Sequence, residues 1–128
     1  MIYLIEEFPK KVIDGITFIN CTPHPINFED GTKIEGSVVC ASKLAAKPIE
    51  KEVKTVNGIK IVTTDFKTTK EGEELVKEAK KKGYLLISSI IGAQAYKFPV
   101  VSPIATPETA RLPPEQRKVF LRKWNSRE

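Results

Sequence analysis

The run Thr68-Thr69-Lys70-Glu71-Gly72-Glu73-Glu74-Leu75-Val76-Lys77-Glu78-Ala79-Lys80-Lys81-Lys82-Gly83-Tyr84-Leu85-Leu86-Ile87 decides the fold class, because two kinds of secondary structure meet inside it. Thr68 and Thr69 are N-cap residues, and Glu71, Glu73 and Glu74 sit where a helix dipole favours negative charge. Leu75, Val76 and Ala79 make a thin apolar stripe. The spacing predicts a helix over 70–82, closed by Gly83. Lys80, Lys81 and Lys82 then complement the negative helix end rather than forming a phosphate site. Tyr84-Leu85-Leu86-Ile87 follows as a continuous apolar run, the mark of a buried strand.

Upstream of that run, three pairs punctuate the chain: Asp14-Gly15, Asp30-Gly31 and Asn57-Gly58. Each suits a two-residue hairpin turn, which demands positive φ. Val12-Ile13 and Ile16-Thr17-Phe18-Ile19 flank the first. Ile26-Asn27-Phe28 and Lys33-Ile34 flank the second; Val53 and Val56 precede the third, and Ile59-Lys60-Ile61-Val62 follows it. Ser37-Val38-Val39-Cys40-Ala41 reads as a further strand. Residues 1–66 are thus expected to form a largely antiparallel meander.

Downstream, Ser88 or Ser89 caps a short helix of small residues ending near Tyr96. Phe98-Pro99-Val100-Val101 reads as a short edge strand, since proline is poorly tolerated in a central one. Pro103 and Pro107 mark 102–110 as a loop. Pro113 and Pro114 open a last helix to about Trp124, with Val119, Phe120 and Trp124 on its apolar face. The expected fold is one α+β domain, a mainly antiparallel sheet built from hairpins with two or three helices. Residues 1–110 form its core and 111–128 a basic C-terminal helix.

Composition agrees with a globular domain: 128 residues, 41% apolar and 29% charged, enough chain to bury a core without a structural metal. No apolar run approaches the roughly 18 residues of a membrane-spanning helix. The start, Met1-Ile2-Tyr3-Leu4-Ile5-Glu6-Glu7, is apolar and then acidic, unlike a secretory signal, so a cytoplasmic location is expected. The cysteines, Cys21 and Cys40, are expected to be reduced, partly buried small residues. With one histidine, His24, they cannot supply a four-ligand zinc site, and no metal or cofactor is expected. The net charge is +5. Residues 111–128 hold six basic side chains against two acidic ones. That segment is either a solvated helix face or a surface for nucleic acid.

Three polar groups are candidates for binding. In Asn20-Cys21-Thr22-Pro23-His24-Pro25, two prolines stiffen a turn from which Asn20, Thr22 and His24 offer hydrogen bonds. Preorganisation of this kind lowers the entropy cost of binding, although such groups also satisfy backbone at a strand end. Ser88 and Ser89 follow the buried strand, where α/β sheets commonly place ligands. Gln94, a little further on, faces either the same pocket or the core. Arg111, in the proline-rich loop, is placed to clamp a phosphate or carboxylate. The two polar segments are expected at one end of the sheet. A cysteine nucleophile paired with His24 is the enzymatic alternative, but no motif announces it. Asp65, Asp30 and Glu29 show no metal-site spacing. Val119, Phe120 and Trp124 on the last helix either cover the sheet of their own chain or pack on a second copy, and the enrichment of tryptophan at interface centres argues for the homo-oligomer.

The segment Asn20-Cys21-Thr22-Pro23-His24-Pro25-Ile26 resembles the N-x-T-P-H-x-I motif of a family of small phage and archaeal-virus proteins, mostly uncharacterised. Gly36-Ser37-Val38-Val39-Cys40-Ala41, Val56-Asn57-Gly58-Ile59-Lys60-Ile61-Val62, Leu86–Ala95, Val100-Val101-Ser102-Pro103 and Arg111 resemble later segments of that family in the same order. Family members often carry an arginine after the Gly-Ser pair, where this chain has Cys40-Ala41. They often end in a glycine-rich stretch where this chain is basic. The family looks similar to the Thoeris anti-defence proteins, sponges that bind cyclic ADP-ribose-like immune signals. The resemblance implies non-catalytic binding of an anionic nucleotide-like molecule in the host cytoplasm, by an oligomer; the alternatives are an enzyme that degrades such a nucleotide signal, or a basic RNA- or DNA-binding viral protein.

Overall fold

A computed structural model describes residues 8–127. The apolar-then-acidic start at 1–7, on which the expectation about secretion rests, lies outside the described residues. Strands are β1 (Lys11–Ile13), β2 (Ile16–Asn20), β3 (Ile26–Phe28), β4 (Lys33–Ile34), β5 (Lys47–Val56), β6 (Ile59–Lys67), β7 (Leu85–Ile87), β8 (Val100–Ala105) and β9 (Lys118–Asn125). Helices are α1 (Val38–Lys43), α2 (Lys70–Lys82) and α3 (Ile90–Tyr96). Seven strands share one sheet in the order β1-β2-β7-β8-β9-β3-β4, while β5 and β6 form a separate two-stranded ribbon.

Mixed α and β structure is present, and Asp14-Gly15 and Asn57-Gly58 form the expected two-residue turns, whereas Asp30-Gly31 falls in a longer loop in which the Phe28 N–H bonds the Thr32 carbonyl at 2.8 Å and Glu29, Asp30 and Gly31 lie between. Asp14 and Asn57 take φ of 53° and 49°, and their following glycines are also positive. The sheet, however, is not mainly a chain of antiparallel hairpins. β2 with β7, β7 with β8, and β9 with β3 run parallel. Local turn signals fix neighbours in sequence; they carry no information on the long-range pairs that make up the centre of the sheet.

Three central strands alternate between two buried faces. Ile19, Leu86 and Val100 point to one face with no exposed surface, where Leu75, Val76 and Ala79 of α2 and Ala93 and Tyr96 of α3 cover them. Phe18, Ile87 and Val101 point to the other, against Ile26, Phe28, Ile34 and Val119. Burial on both faces is why β7 reads as an unbroken apolar run. The second face curls into a nearly closed, barrel-like wall: Asn20 on β2 reaches the Ile34 carbonyl of β4, the far edge of the sheet, at 3.2 Å.

α2 spans the expected residues. Thr69 Oγ1 accepts from the Gly72 N–H at 3.0 Å, and Gly83 closes the helix at φ 74°. Lys43, at the end of α1, pairs with Glu71 and holds its carboxyl below the usual range.

Four expectations are corrected. Residues 37–41 are not a strand: Ser37 caps α1 by accepting from Cys40 N–H at 3.2 Å, and the cap outweighs the β preference of Val38 and Val39. The segment 111–128 is not a helix. After a single 3-10 turn at Pro114–Gln116 it becomes β9, between β8 and β3. Val119, Leu121 and Trp124 supply inward side chains, so the sheet decided what propensity left open. The strand near Phe98 runs Val100–Ala105 and is central, not an edge. Pro103 is tolerated there because its register with β9 slips between Pro103 and Ala105. Cys21 and Cys40 are not free thiols but a disulfide, their Cα atoms 4.6 Å apart, tying the end of β2 to α1.

Trp124 packs on its own chain, the alternative to packing on a second copy. Its ring stacks on Phe18 at 5.3 Å and meets Phe28 edge-on at 5.8 Å. The residue that argued for an interface between copies fills the barrel-like wall of its own chain.

Candidate functional site

The parallel strands bring the polar segments together. Asn20 lies beside Ile87, and Ile87 beside Val101. One further backbone bond extends each ladder: Cys21 N–H to the Ile87 carbonyl at 2.8 Å, and Ser88 N–H to the Val101 carbonyl at 2.9 Å. The chain therefore leaves β2 and β7 at the same end, where Ser102 of β8 also lies. A cleft of about 460 Å³ opens there, lined by Thr22, His24, Ser88, Ser89, Ser102, Arg117 and Asn125 among others. It sits outside the carboxyl ends of parallel strands, the usual ligand position in such sheets.

Asn20 builds the wall without lining it. The side chain is buried, at 1% exposure. Its Oδ1 accepts from the Thr22 N–H at 3.1 Å and the Thr22 hydroxyl at 2.6 Å. Its Nδ2 donates to the carbonyls of His24 at 2.9 Å and Ile34 at 3.2 Å. Gly36 lets a neighbouring segment close on this turn: a Cβ there would lie 2.5 Å from the Thr22 carbonyl oxygen and 2.8 Å from that of His24. The turn is stiff, as the prolines suggested, and it presents Thr22 and His24 to the cleft.

Across from it, His24 Nδ1 pairs with Glu115 Oε1 at 3.2 Å, and Asn27 Nδ2 donates to the Glu115 carbonyl at 2.9 Å. These bonds fasten the 3-10 turn against β3 and bring Arg117 to the rim. The Arg117 Nε donates to the Leu112 carbonyl at 2.6 Å. Among the described residues, its two terminal amino groups have no partner.

The serines are partly committed. The buried Ser88 Oγ donates to the Ser89 carbonyl at 2.9 Å. The exposed Ser89 Oγ caps α3 by accepting from the Gly92 N–H at 3.3 Å. Gly92 leaves room for that hydroxyl: a Cβ there would lie 1.9 Å from Ser88 Oγ, which would have to turn aside.

Thr22, His24, Ser88 and Ser89 thus share one cleft. Gln94 does not line it; exposed on α3, it borders a separate hollow of about 270 Å³ with Asn125 and Arg127. Arg111 is exposed and likewise outside the lining. Sequence reasoning missed Ser102, Arg117 and Asn125. All three lie on or just before strands that were read as loop or helix. A strand reading of the alternation through Val119 and Leu121 would have placed Arg117 at a strand entrance.

Among the described residues, no three His, Cys, Asp or Glu side chains converge as a metal site requires. Cys21, weighed as a nucleophile beside His24, is bonded to Cys40. No described helix is long and apolar enough to cross a membrane. Comparison with known proteins finds no match to a family model, a curated protein or a solved structure.

Proposed function

We propose that the cleft at the carboxyl ends of β2, β7 and β8 binds a small anionic, nucleotide-like molecule without cleaving it. The observation that carries this reading is the meeting of Arg117, whose two terminal amino groups have no partner among the described residues, and the Thr22, His24 and Ser89 side chains around one concave space. A volume of about 460 Å³ falls within the roughly 300–1,000 Å³ of small-molecule sites. Pro23, Ile26 and Ile90 add apolar lining suited to a base. A guanidinium recognises phosphate through paired donors.

Binding rather than turnover is favoured because the Ser88 and Ser89 hydroxyls are already engaged with backbone groups. Ser88 Oγ donates to a carbonyl and Ser89 Oγ accepts a backbone N–H, whereas a nucleophilic serine needs an adjacent base. The specific version, viral sequestration of a cyclic-nucleotide or ADP-ribose-derived immune signal, draws on the resemblance of Asn20–Ile26 to the phage and archaeal-virus family. The experiment is to isolate the protein from host cells, denature it and identify released small molecules by mass spectrometry. An intact phosphate-bearing nucleotide near one per chain supports the reading. A cleaved product, or no small molecule from cells that make the signal, contradicts it.

A further inference from the structure

The ribbon of β5 and β6 is a sheet of its own: it meets α3 through β6, where Phe66 is half-buried, and projects from there. Every residue from 47 to 65 is exposed, including Ile49, Val53, Val56, Ile59, Ile61 and Val62. An isolated two-stranded ribbon is at best marginally stable in water; a third and fourth strand change that. Each of its strands has one open edge among the described residues.

The two edges are built differently. β5 carries three features that discourage further pairing. It has Pro48, the charge run Glu50-Lys51-Glu52, and an irregularity at Val53, where the register shifts between Glu52 and Lys54. β6 has none of these over Ile59-Lys60-Ile61-Val62-Thr63-Thr64, a β-branched run with one charge and no proline. A protected edge beside an unprotected one marks the second as the pairing edge.

We propose that two copies of this chain pair antiparallel through the open edge of β6, making a four-stranded sheet with β5 on each outside. The strand is complementary to itself. Centred on Thr63, all nine residues of β6 find an opposite number. Lys60 faces the partner's Phe66, Asp65 the partner's Ile61, and Lys67 the partner's Ile59. No like charges meet, and Asp65 is already paired with Lys51 of its own chain at 2.8 Å. Residues directly opposite in an antiparallel pair are the unit of sheet stabilisation. This surface is separate from the cleft, so it stands or fails independently of the ligand reading.

Thr63 lies on the two-fold axis, which gives a sharp test by sedimentation equilibrium of the full chain. The wild type is expected to be a dimer at micromolar concentration. Thr63→Lys and Thr63→Glu each put like charges face to face and weaken the dimer by about tenfold or more. Far-UV circular dichroism is unchanged, because the site is exposed. An equimolar mixture of the two variants restores the dimer. A monomeric wild type overturns the proposal, whether or not the ribbon's lysines take up duplex DNA. So does a dimer that survives Thr63→Lys, or a mixture of the variants that stays monomeric.

Discussion

The Asn20 side chain holds His24 by its backbone: Nδ2 donates to the His24 carbonyl at 2.9 Å while Oδ1 accepts from Thr22. One buried amide thereby ties together the end of β2, the turn that lines the cleft and the far strand β4. Asn20→Ala leaves several buried polar groups unpaired and is expected to lower stability by about 3 kcal/mol, since each orphaned group costs roughly 1–3 kcal/mol. Urea denaturation measures this. A loss below about 1 kcal/mol would remove Asn20 from its role as the tie.

Arg117, and not Arg111, is expected to carry the charge recognition. Arg117→Ala should weaken binding of a phosphate-bearing nucleotide by about 1.5–3 kcal/mol, the range for a hydrogen bond to a charged group. Arg111→Ala should leave the dissociation constant unchanged. Calorimetry on the two variants, side by side, separates them; equal losses would argue for diffuse attraction by the basic segment instead.

These contrasts show what the chain discloses and what it conceals. Turns and helix ends are written locally, so Asp14-Gly15, Asn57-Gly58, Thr69 and Gly83 could be read directly. Thr22, His24, Ser88 and Ser89 were legible because each follows an apolar strand. Arg117 was not, because its position depends on segment 118–125 being a strand at all and on its pairing with β3, which is distant in sequence. The Val38-Val39 pair misled in the opposite direction: its β preference yielded to the Ser37 cap. The pairing of Cys21 with Cys40 likewise required knowing that α1 returns to the end of β2.

The disulfide closes a loop whose ends are 19 residues apart. Replacing both cysteines by serine is expected to cost about 3 kcal/mol by the loop-entropy relation. Thermal unfolding with and without reductant checks this. A wild type whose midpoint is unmoved by full reduction would contradict it.

Gly92 and Ser88 are expected to be energetically coupled. Gly92→Ala pushes a methyl group into the space of Ser88 Oγ and should destabilise by about 1–3 kcal/mol, as overpacking does. Adding Ser88→Ala removes the opposing oxygen and should recover most of the loss. A double-mutant cycle in urea reads the coupling directly, and strictly additive effects would deny the contact.

The most direct test of the central claim is amide chemical-shift mapping of the isotope-labelled chain, titrated with a cyclic dinucleotide, ADP-ribose and ATP. The account predicts that at least one of them saturably shifts the amides of Thr22, His24, Ser88, Ser89 and Arg117 together, and that the β5–β6 ribbon stays still. Shifts confined to other surfaces, or none from any of the three nucleotides, would contradict it.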